Sequence, residues 1–175
     1  MNTSASSREL PVALSIAGSD SGAGAGIQAD LLTFASQGVF GTTAITCLTA
    51  QNPRGVSGIQ ASPAAFVVEQ CAQVAAHFHP KALKTGMLLN AEIVLAVAGF
   101  IKASGIPAVV DPVMVASSGA TLLAPDAIAA VRTRLIPLAA VVTPNLDEAT
   151  ILLGRKSLGG TDEALELAKA YGVPF

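Results

Sequence analysis

The sequence is poor in charged and aromatic residues. Of its 175 residues, 13% are charged, 4% are aromatic and 51% are hydrophobic, and there is no tryptophan. The formal net charge is −2, which gives no electrostatic reason to expect binding to nucleic acid or to an anionic membrane. No apolar stretch reaches the length that spans a bilayer. This composition is typical of a soluble α/β protein with a buried parallel sheet.

Cysteine and histidine are also scarce. Cys47 and Cys71 are the two cysteines, and they fall in a predicted strand and a predicted helix without paired spacing. We therefore expect both thiols to be reduced and buried, in a cytoplasmic protein. His77 and His79 lie at a predicted helix end, and too few further ligands accompany them to suggest a metal site.

The length of the chain predicts a single domain. Its first residues are polar and lack the hydrophobic core of a signal peptide, so we expect residues 1–11 to be a disordered leader. Residues 12–175 are then expected to form the folded part.

The chain is organised around residues 12–34, VALSIAGSDSGAGAGIQADLLTF. The apolar run Val12–Ala17 is typical of a buried parallel strand, and Ile27, Leu31 and Phe34 recur at helical spacing. Glycines between a strand and a helix can bring free backbone N–H groups to an anionic ligand, or they can simply allow a tight turn. Their spacing matches neither the dinucleotide fingerprint nor the P-loop.

Predicted strands and helices alternate along the chain, which indicates a three-layer α/β/α fold with a mainly parallel sheet. Ligands of such folds bind beyond the carboxyl ends of the strands, and polar residues occur at those ends. The polar residues are Ser19, Asp20, Gln51, Thr85, Asp111, Thr143 and Asn145. The predicted strands are Val12–Ala17, Gly41–Thr49, Ala82–Thr85, Ile106–Val110 and Ala139–Thr143, with an extended piece at Val56–Gln60 over the mouth of the site.

Residues that favour helix ends predict where the helices begin and end. Ser62 is expected to be an N-cap before Pro63, and Asn90 an N-cap for a helix that Gly105 ends. Three further helices are predicted, from Pro125 through Leu135, over residues 147–153, and from an N-cap at Thr161 to about Tyr171.

Five sequence motifs follow one another after residue 11. They are GSDSGAGAGIQADLLTF, TAQNPRGV, KTGML, VVDPVM and TPNLDEA. Each motif alone has low specificity. Together, in this order and spacing, they resemble the hydroxymethylpyrimidine/phosphomethylpyrimidine kinases of thiamine biosynthesis, which are members of the ribokinase-like superfamily. The resemblance covers nearly the whole chain after residue 11 and implies a ribokinase-like fold.

The resemblance implies a pyrimidine pocket formed by one group of residues. These substrate-binding residues are Gly18, Asp30, Gln51, Met87 and Val113. An amide such as that of Gln51 offers both a donor and an acceptor, which suits the edge of an aminopyrimidine. Asp30 has an alternative interpretation, as a carboxylate that is favourable near a helix N-terminus. Without the resemblance, Met87 and Val113 would be taken as core residues.

The resemblance also implies that ATP and Mg²⁺ are the cofactors and that Asp111, Thr143, Asn145 and Glu148 bind them. Asn145 and Glu148 match the superfamily motif N-x-x-E, which helps to hold magnesium, partly through water. Their spacing alone is explained as well by an N-cap asparagine with an acidic first turn.

The second half of the family pattern is not found in this sequence. Family members are longer and carry a glycine turn that supplies the catalytic base, so we expect no catalytic residue in this chain and a base beyond Phe175. The chain is accordingly interpreted as the N-terminal part of a single kinase domain, incomplete at the C-terminus, and a truncated pseudo-kinase is an alternative. Members of the family are commonly homodimers, which we expect of the full-length protein.

Two other functions are compatible with the sequence. A pyridoxal or pyridoxine kinase of the same superfamily would also phosphorylate a hydroxymethyl group on a flat ring, although the motif Gln28-Ala29-Asp30 favours the pyrimidine enzyme. A non-catalytic pyrimidine-binding module would fit the missing base. Binding of the pyrimidine without ATP hydrolysis would identify such a module.

Residues 1–175 alone are expected not to phosphorylate either pyrimidine substrate. Loss of anion stabilisation costs about 10²–10³ in rate, and loss of the general base typically about 10²–10⁴. We also expect poor solubility, because the predicted strand Ala139–Thr143 would have an unpaired edge. Expression of this segment, followed by solubility and ATP-dependent phosphorylation assays, tests the expectation. A monodisperse and fully active product would contradict it.

Overall fold

The computed structural model of the protein describes residues 10–115 and 123–175. Residues 1–9 of the predicted leader lie outside the described residues. Pro11, at the end of that predicted leader, accepts a hydrogen bond from the N–H of Phe40 at 2.8 Å. Within the described ranges, every helix is too short or too polar to cross a membrane.

Six strands of the described residues form one sheet. They are β1 Val12–Asp20, β2 Phe40–Asn52, β3 Gly55–Ala61, β4 Ala82–Thr85, β5 Ala108–Val110 and β6 Val141–Val142. Their order across the sheet is β3-β2-β1-β4-β5-β6. The pair β2–β3 is an antiparallel hairpin, and all other neighbours are parallel. The carboxyl ends of the five parallel strands therefore meet at one edge of the sheet.

Helices connect the parallel strands. They are α1 Gly26–Ser36, α2 Ala64–Phe78, α3 Ala91–Ser104, α4 Pro125–Ala130, α5 Leu146–Leu153 and α6 Thr161–Tyr171. The connection α1 leads from β1 outward to β2, whereas α2 leads back across β1 to β4. Because such crossovers are right-handed, α1 lies on one face of the sheet and α2 on the other. The predicted three-layer α/β/α architecture is confirmed.

The main hydrophobic core lies between the sheet and the layer that contains α2 and α3. It joins alternate residues of β1 and β4 to the apolar faces of these helices. Its most deeply buried members include Leu14, Ile16, Leu83, Val67, Val94 and Val97. On the opposite face, α1 packs against β1 and β2, with Ile27 buried. Burial of the near-continuous apolar strands on both faces explains the high hydrophobic content of the chain.

Two of the predicted helix caps are wrong, and the Asn90–Gly105 helix is confirmed. The Asn90 side chain accepts a hydrogen bond from the N–H of Ile93, and Gly105 ends α3 in a left-handed conformation. Ser62 is not an N-cap, because its N–H donates to Thr46 and the capping position is Pro63. Thr161 is already helical, and Gly160 precedes it as the cap.

Several predicted strand and helix limits also change. Strand β2 extends to Asn52 rather than ending at Thr49, because the hairpin partner β3 continues the pairing. The predicted extended piece Val56–Gln60 is confirmed as part of β3. Strands β5 and β6 are shorter than Ile106–Val110 and Ala139–Thr143. The helix predicted from Pro125 through Leu135 changes after Ala130 into a π-helical turn, Val131–Leu135, which a 3₁₀ turn, Ile136–Leu138, follows.

We predict that Gly26→Ala destabilises the fold. Gly26 has a φ of +62°, and a Cβ atom there would lie 2.5 Å from the carbonyl oxygen of Gly18. A left-handed alanine that also contacts the backbone should cost at least about 1–3 kcal/mol. Urea unfolding measures this loss.

The control is Gly99→Ala in the interior of α3, where a Cβ would meet no atom within 4 Å. Alanine favours helices over glycine by about 0.5–1 kcal/mol, so this control should be neutral or stabilising. Equal unfolding midpoints for the two variants would contradict the role of Gly26.

Candidate active site

A cavity of about 330 Å³ opens at the carboxyl ends of the parallel strands. Residues from the turns after β1, β4, β5 and β6 line it, together with residues of the β2–β3 hairpin. Seven of the nine residues assigned from the sequence to substrate or cofactor binding lie on its wall: Gly18, Gln51, Met87, Asp111, Val113, Asn145 and Glu148. Val56 and Ile59 of β3 extend the wall, as expected for a segment at the mouth of the site.

The glycine turn after β1 is organised by the buried carboxylate of Asp20. Its two oxygens accept hydrogen bonds from the N–H groups of Gly22, Gly24 and Ala25 at 2.8–3.0 Å. These backbone groups are therefore not free for a ligand, which favours the tight turn of the two alternatives left open by the sequence. The chain's own carboxylate occupies the start of α1, where an external anion would otherwise be favoured. The turn contributes shape to the cavity rather than an anion site.

The packing of the cavity wall around Met87 depends on the absence of a side chain at Gly18. A Cβ atom there would lie 2.9 Å from Cys47 Sγ and 3.1 Å from Met87 Cε. Thr46, which is fully buried, donates from Oγ1 to the carbonyl oxygen of Met87 at 2.7 Å. Met87 therefore has a fixed backbone and a flexible thioether on the cavity wall. Cys47 is buried and reduced, as predicted, and burial raises the pKa of its thiol.

Hydrogen bonds between the Gln51 backbone and the Ser21 side chain hold Gln51 on the cavity wall. Its N–H donates to Ser21 Oγ, and the same hydroxyl donates to its carbonyl oxygen, both at 2.8 Å. Thr49 Oγ1 donates to the carbonyl oxygen of Ser19 at 2.9 Å and lies 3.3 Å from the Gln51 side-chain oxygen. The backbone is thus pinned to the turn after β1, and the side-chain amide keeps hydrogen-bonding capacity for another group.

Asp30 and Lys84 form an ion pair beside the cavity. Lys84 Nζ lies 3.1 Å from one oxygen of Asp30 and 3.5 Å from Asp111 Oδ2. Ser15 donates to the other oxygen of Asp30 at 2.6 Å. Asp30 does not line the cavity, because β1 and β4 supply these partners for its carboxylate. Lys84 does line it.

Asp111 is a partly buried carboxyl at the end of β5. Burial raises its pKa and the nearby carboxylate of Asp30 raises it further, while the ammonium of Lys84 lowers it. One lysine thus compensates two carboxylates. The sequence analysis did not identify Lys84, although it lies within the motif KTGML. The available signal in the sequence was the lysine itself, because a lysine within a short predicted strand is unusual and suggests a charged partner nearby.

Asn145 and Glu148 form a reciprocal capping box at the start of α5. Asn145 Oδ1 accepts the N–H of Glu148 at 2.9 Å, and Glu148 Oε2 accepts the N–H of Asn145 at 3.0 Å. The other carboxylate oxygen, Glu148 Oε1, accepts the N–H of Met114 at 3.0 Å. Burial raises the pKa of Glu148. Thr143 does not line the cavity, because its N–H pairs with Val110 and the residue is exposed to solvent.

Three residues of the cavity wall carry oxygen atoms that suit magnesium held through water. Asp111, Asn145 and Glu148 supply carboxylate and amide oxygens, the ligand type that Mg²⁺ prefers. Among the described residues, no group of three or more His, Cys, Asp or Glu side chains is close enough to hold a bare metal ion. The Asn145 and Glu148 oxygens already accept N–H groups. Their remaining lone pairs can accept hydrogen bonds from the water ligands that Mg²⁺ usually keeps.

Comparison with known proteins identifies the class of this fold. The structure of phosphomethylpyrimidine kinase from Clostridium difficile 630 matches with a TM-score of 0.86 and 38% identity, over 94% of this chain and 72% of that chain. The pyridoxal kinase from Staphylococcus aureus in complex with AMP-PCP and pyridoxal matches with a TM-score of 0.79 and 35% identity, over 94% and 59% of the two chains. The fold is that of the ribokinase-like kinases.

The sequence comparison defines the family. The family model for phosphomethylpyrimidine kinase matches residues 20–171, so the chain belongs to that family. The hydroxymethylpyrimidine/phosphomethylpyrimidine kinase of Synechococcus elongatus is 57% identical over 145 residues, which cover 83% of this chain and 55% of the relative. The chain spans little more than half the length of the curated relatives that it matches.

We predict that Lys84→Met destabilises the protein, and more strongly at pH 7 than near pH 4. Removing the lysine leaves two carboxylates without their cation, which should cost about 1–3 kcal/mol when they are ionised. The folded-state pKa of Asp111 is already raised by burial, and loss of Lys84 raises it further. Ionisation above the unfolded pKa of about 3.9 therefore becomes more unfavourable for folding as pH rises.

Urea unfolding at both pH values measures the effect of Lys84→Met. Lys81→Met is the matched control, because Lys81 is exposed at the end of the sheet that is remote from the cavity. A stability loss that is the same at both pH values would contradict the electrostatic role of Lys84.

Proposed function

We propose that the protein is an ATP- and Mg²⁺-dependent kinase that phosphorylates the hydroxymethyl group of 4-amino-5-hydroxymethyl-2-methylpyrimidine and of its monophosphate. The observation that carries the proposal is that a single cavity is lined both by the Gln51 amide with apolar side chains such as Met87 and Val113, and by the acidic side chains of Asp111 and Glu148. We assign the heterocycle to the first set of residues and the nucleotide phosphates to the second. Membership of the phosphomethylpyrimidine kinase family supports this substrate class.

The wall formed by Gln51, Met87 and Val113 suits a flat, uncharged heterocycle. Met87 and Val113 supply apolar surface for the two faces of a ring, and Gln51 supplies an amide for its polar edge. Close packing around Gly18, Cys47 and Met87 limits the space that is available to the ring. In the proposed complex, Lys84 and Asp30 support the wall from beside the ring rather than binding it.

The acidic residues Asp111 and Glu148 suit the nucleotide phosphates together with their metal ion. Magnesium ATP would supply the phosphoryl group and neutralise the charge that develops on it. The contribution of this chain is to position oxygen ligands on Asp111, Asn145 and Glu148 near the substrate hydroxyl. We retain Thr143 as a proposed nucleotide-binding residue, since it is exposed and lies two residues before Asn145, which lines the cavity.

A pyridoxal kinase is the second candidate function. The similarity to pyridoxal kinase from Staphylococcus aureus favours it, because that structure holds pyridoxal and an ATP analogue. Turnover of the protein expressed from its complete gene, measured on the pyrimidine alcohol and on pyridoxal, distinguishes the two functions. Preference for the pyrimidine supports our proposal, and preference for pyridoxal contradicts it. Pyrimidine binding without ATP-dependent turnover would identify a non-catalytic module.

A homodimer is proposed on the family resemblance alone. The β2–β3 hairpin exposes Leu48, Val56 and Ile59, which makes it the surface to examine first. Light scattering coupled to size-exclusion chromatography would give the oligomeric state, and a monomer at micromolar concentration would contradict the proposal.

We predict that Gln51→Ala raises the KM for the pyrimidine strongly and leaves the KM for ATP nearly unchanged. A buried heterocycle edge that loses its hydrogen-bond partner should cost about 1–3 kcal/mol, which corresponds to roughly 5- to 150-fold in KM. Steady-state kinetics with each substrate varied in turn measure the effect. Gln60→Ala, an exposed position on the neighbouring strand β3, is the control. An unchanged pyrimidine KM would remove Gln51 from the substrate site.

A further inference from the structure

The backbone of Val113 has an unusual conformation at the wall of the cavity. Its φ is +38°, in a region that β-branched residues rarely adopt. A conformation of this kind is strained and persists only where the surrounding structure enforces it. Val113 lines the cavity, so whatever enforces its conformation also determines the shape of that wall.

The residues on either side of Val113 are fixed in place. Before it, Asp111 donates its N–H to the carbonyl oxygen of Thr85 at 3.2 Å, and Pro112 adds a rigid φ. After it, Met114 is fully buried and donates its N–H to Glu148 Oε1 at 3.0 Å. Val113 therefore lies between two fixed points, the end of β5 and the buried hydrogen bond from Met114 to Glu148 in α5.

Glu148 is itself held rigidly. Only 1% of its surface is exposed, and its second oxygen accepts the N–H of Asn145. The Asn145 side chain in turn accepts the N–H of Glu148, so the carboxylate is fixed to the first turn of α5. A buried carboxylate with two backbone partners is a strong acceptor, because both hydrogen bonds are charge-assisted. It can therefore hold the Met114 backbone against strain at the preceding residue.

We propose that Glu148 is a positioning residue for the heterocycle, in addition to any role at the metal, because its hydrogen bond to Met114 holds Val113 in the left-handed conformation that shapes the ring-binding wall. The proposal rests on the proposed function, since it assigns the Val113 wall to the pyrimidine. It predicts that a change at Glu148 weakens pyrimidine binding even when neither ATP nor magnesium is present.

Glutamine is the informative substitution at this position. A carboxylate accepts both N–H groups, whereas a glutamine amide offers one oxygen and places an NH₂ donor opposite the second N–H. In Glu148→Gln, one of the two N–H groups loses its acceptor, and the neutral amide oxygen is a weaker acceptor than a carboxylate for the other. The hold on Met114 is therefore weaker in either orientation of the amide, the strained turn at Val113 can relax, and we expect the Kd for the pyrimidine to rise about 10-fold.

The experiment uses the protein expressed from its complete gene and measures binding of 4-amino-5-hydroxymethyl-2-methylpyrimidine by calorimetry, without nucleotide or divalent cation. Asp147→Asn, an exposed change in the same helical turn, is the matched control and should leave the Kd unchanged. Glu148→Gln is also combined with Val113→Ala and with Val113→Gly. Alanine retains the backbone strain, whereas glycine adopts a positive φ without cost.

The expected result is a dependence on residue 113. Glu148→Gln should weaken binding about 10-fold in the parent and in the alanine background, but less than about 3-fold in the glycine background. An unchanged Kd for Glu148→Gln overturns the proposal. Equal losses in the alanine and glycine backgrounds overturn it too, because Glu148 would then not act through the Val113 backbone.

Urea unfolding of the same variants provides a test that needs no ligand. Val113→Gly should be more stable than Val113→Ala, although glycine ordinarily destabilises a folded chain relative to alanine. A glycine variant of equal or lower stability overturns the proposal, and this comparison holds even where Glu148→Gln does not fold. A parent protein that binds no pyrimidine contradicts the proposed function. The link between Glu148 and Val113 is then tested by unfolding alone, because Glu148→Gln should cost less stability in the glycine background than in the alanine background, and equal costs overturn the link.

Discussion

The site depends on the close approach of the first residue of α1 to the end of β1. A side chain at Gly26 would collide with the carbonyl of Gly18, and a side chain at Gly18 would press on Cys47 and Met87. With hydrogen atoms at both positions, the helix begins directly against the strand. The Asp20 carboxylate can then reach three N–H groups of the turn. The cavity is the space that these contacts leave above the central strand.

The acidic residues around the cavity are each compensated in a different way. Backbone N–H groups hold Asp20 and Glu148, whereas one ammonium group, that of Lys84, serves both Asp30 and Asp111. Such arrangements are costly to disrupt, because a buried charge that loses its partner keeps its desolvation penalty. The negative charge of the site is therefore fixed in position before any ligand arrives. Charges that are already fixed in position need little reorganisation when a ligand binds.

The sequence allowed prediction of what depends on local pattern, and it failed where distant residues decide. Apolar runs and an N-cap asparagine located most strands and the helix α3, because their periodicity and capping act within a few residues. Ser62 was mistaken for a cap because its N–H pairs with a strand residue, Thr46, that is remote in sequence. The ion pair of Lys84 joins residues that are 54 positions apart, and no local rule reveals it.

The candidate site shows the same division. Seven of its residues could be named from sequence motifs, since parallel strands bring their carboxyl ends together. The backbone of Val113 could not be predicted, because valine ordinarily avoids a positive φ and only tertiary contacts impose it. Asp30 was assigned to the ligand, whereas the structure gives its oxygens to Ser15 and Lys84. Motifs therefore indicate which residues gather at the site but not which of them contact one another.

The central position of β1 has a consequence for synthesis of the chain. This strand is made first, yet one of its two neighbours, β4, follows about 70 residues later. At translation rates of about 5–20 residues per second, β1 lacks that neighbour for several seconds at least. During this interval an apolar strand has one open edge, and pairing across so long a loop is intrinsically slow. Until β4 is made, this open edge therefore leaves the nascent chain exposed to non-native strand pairing.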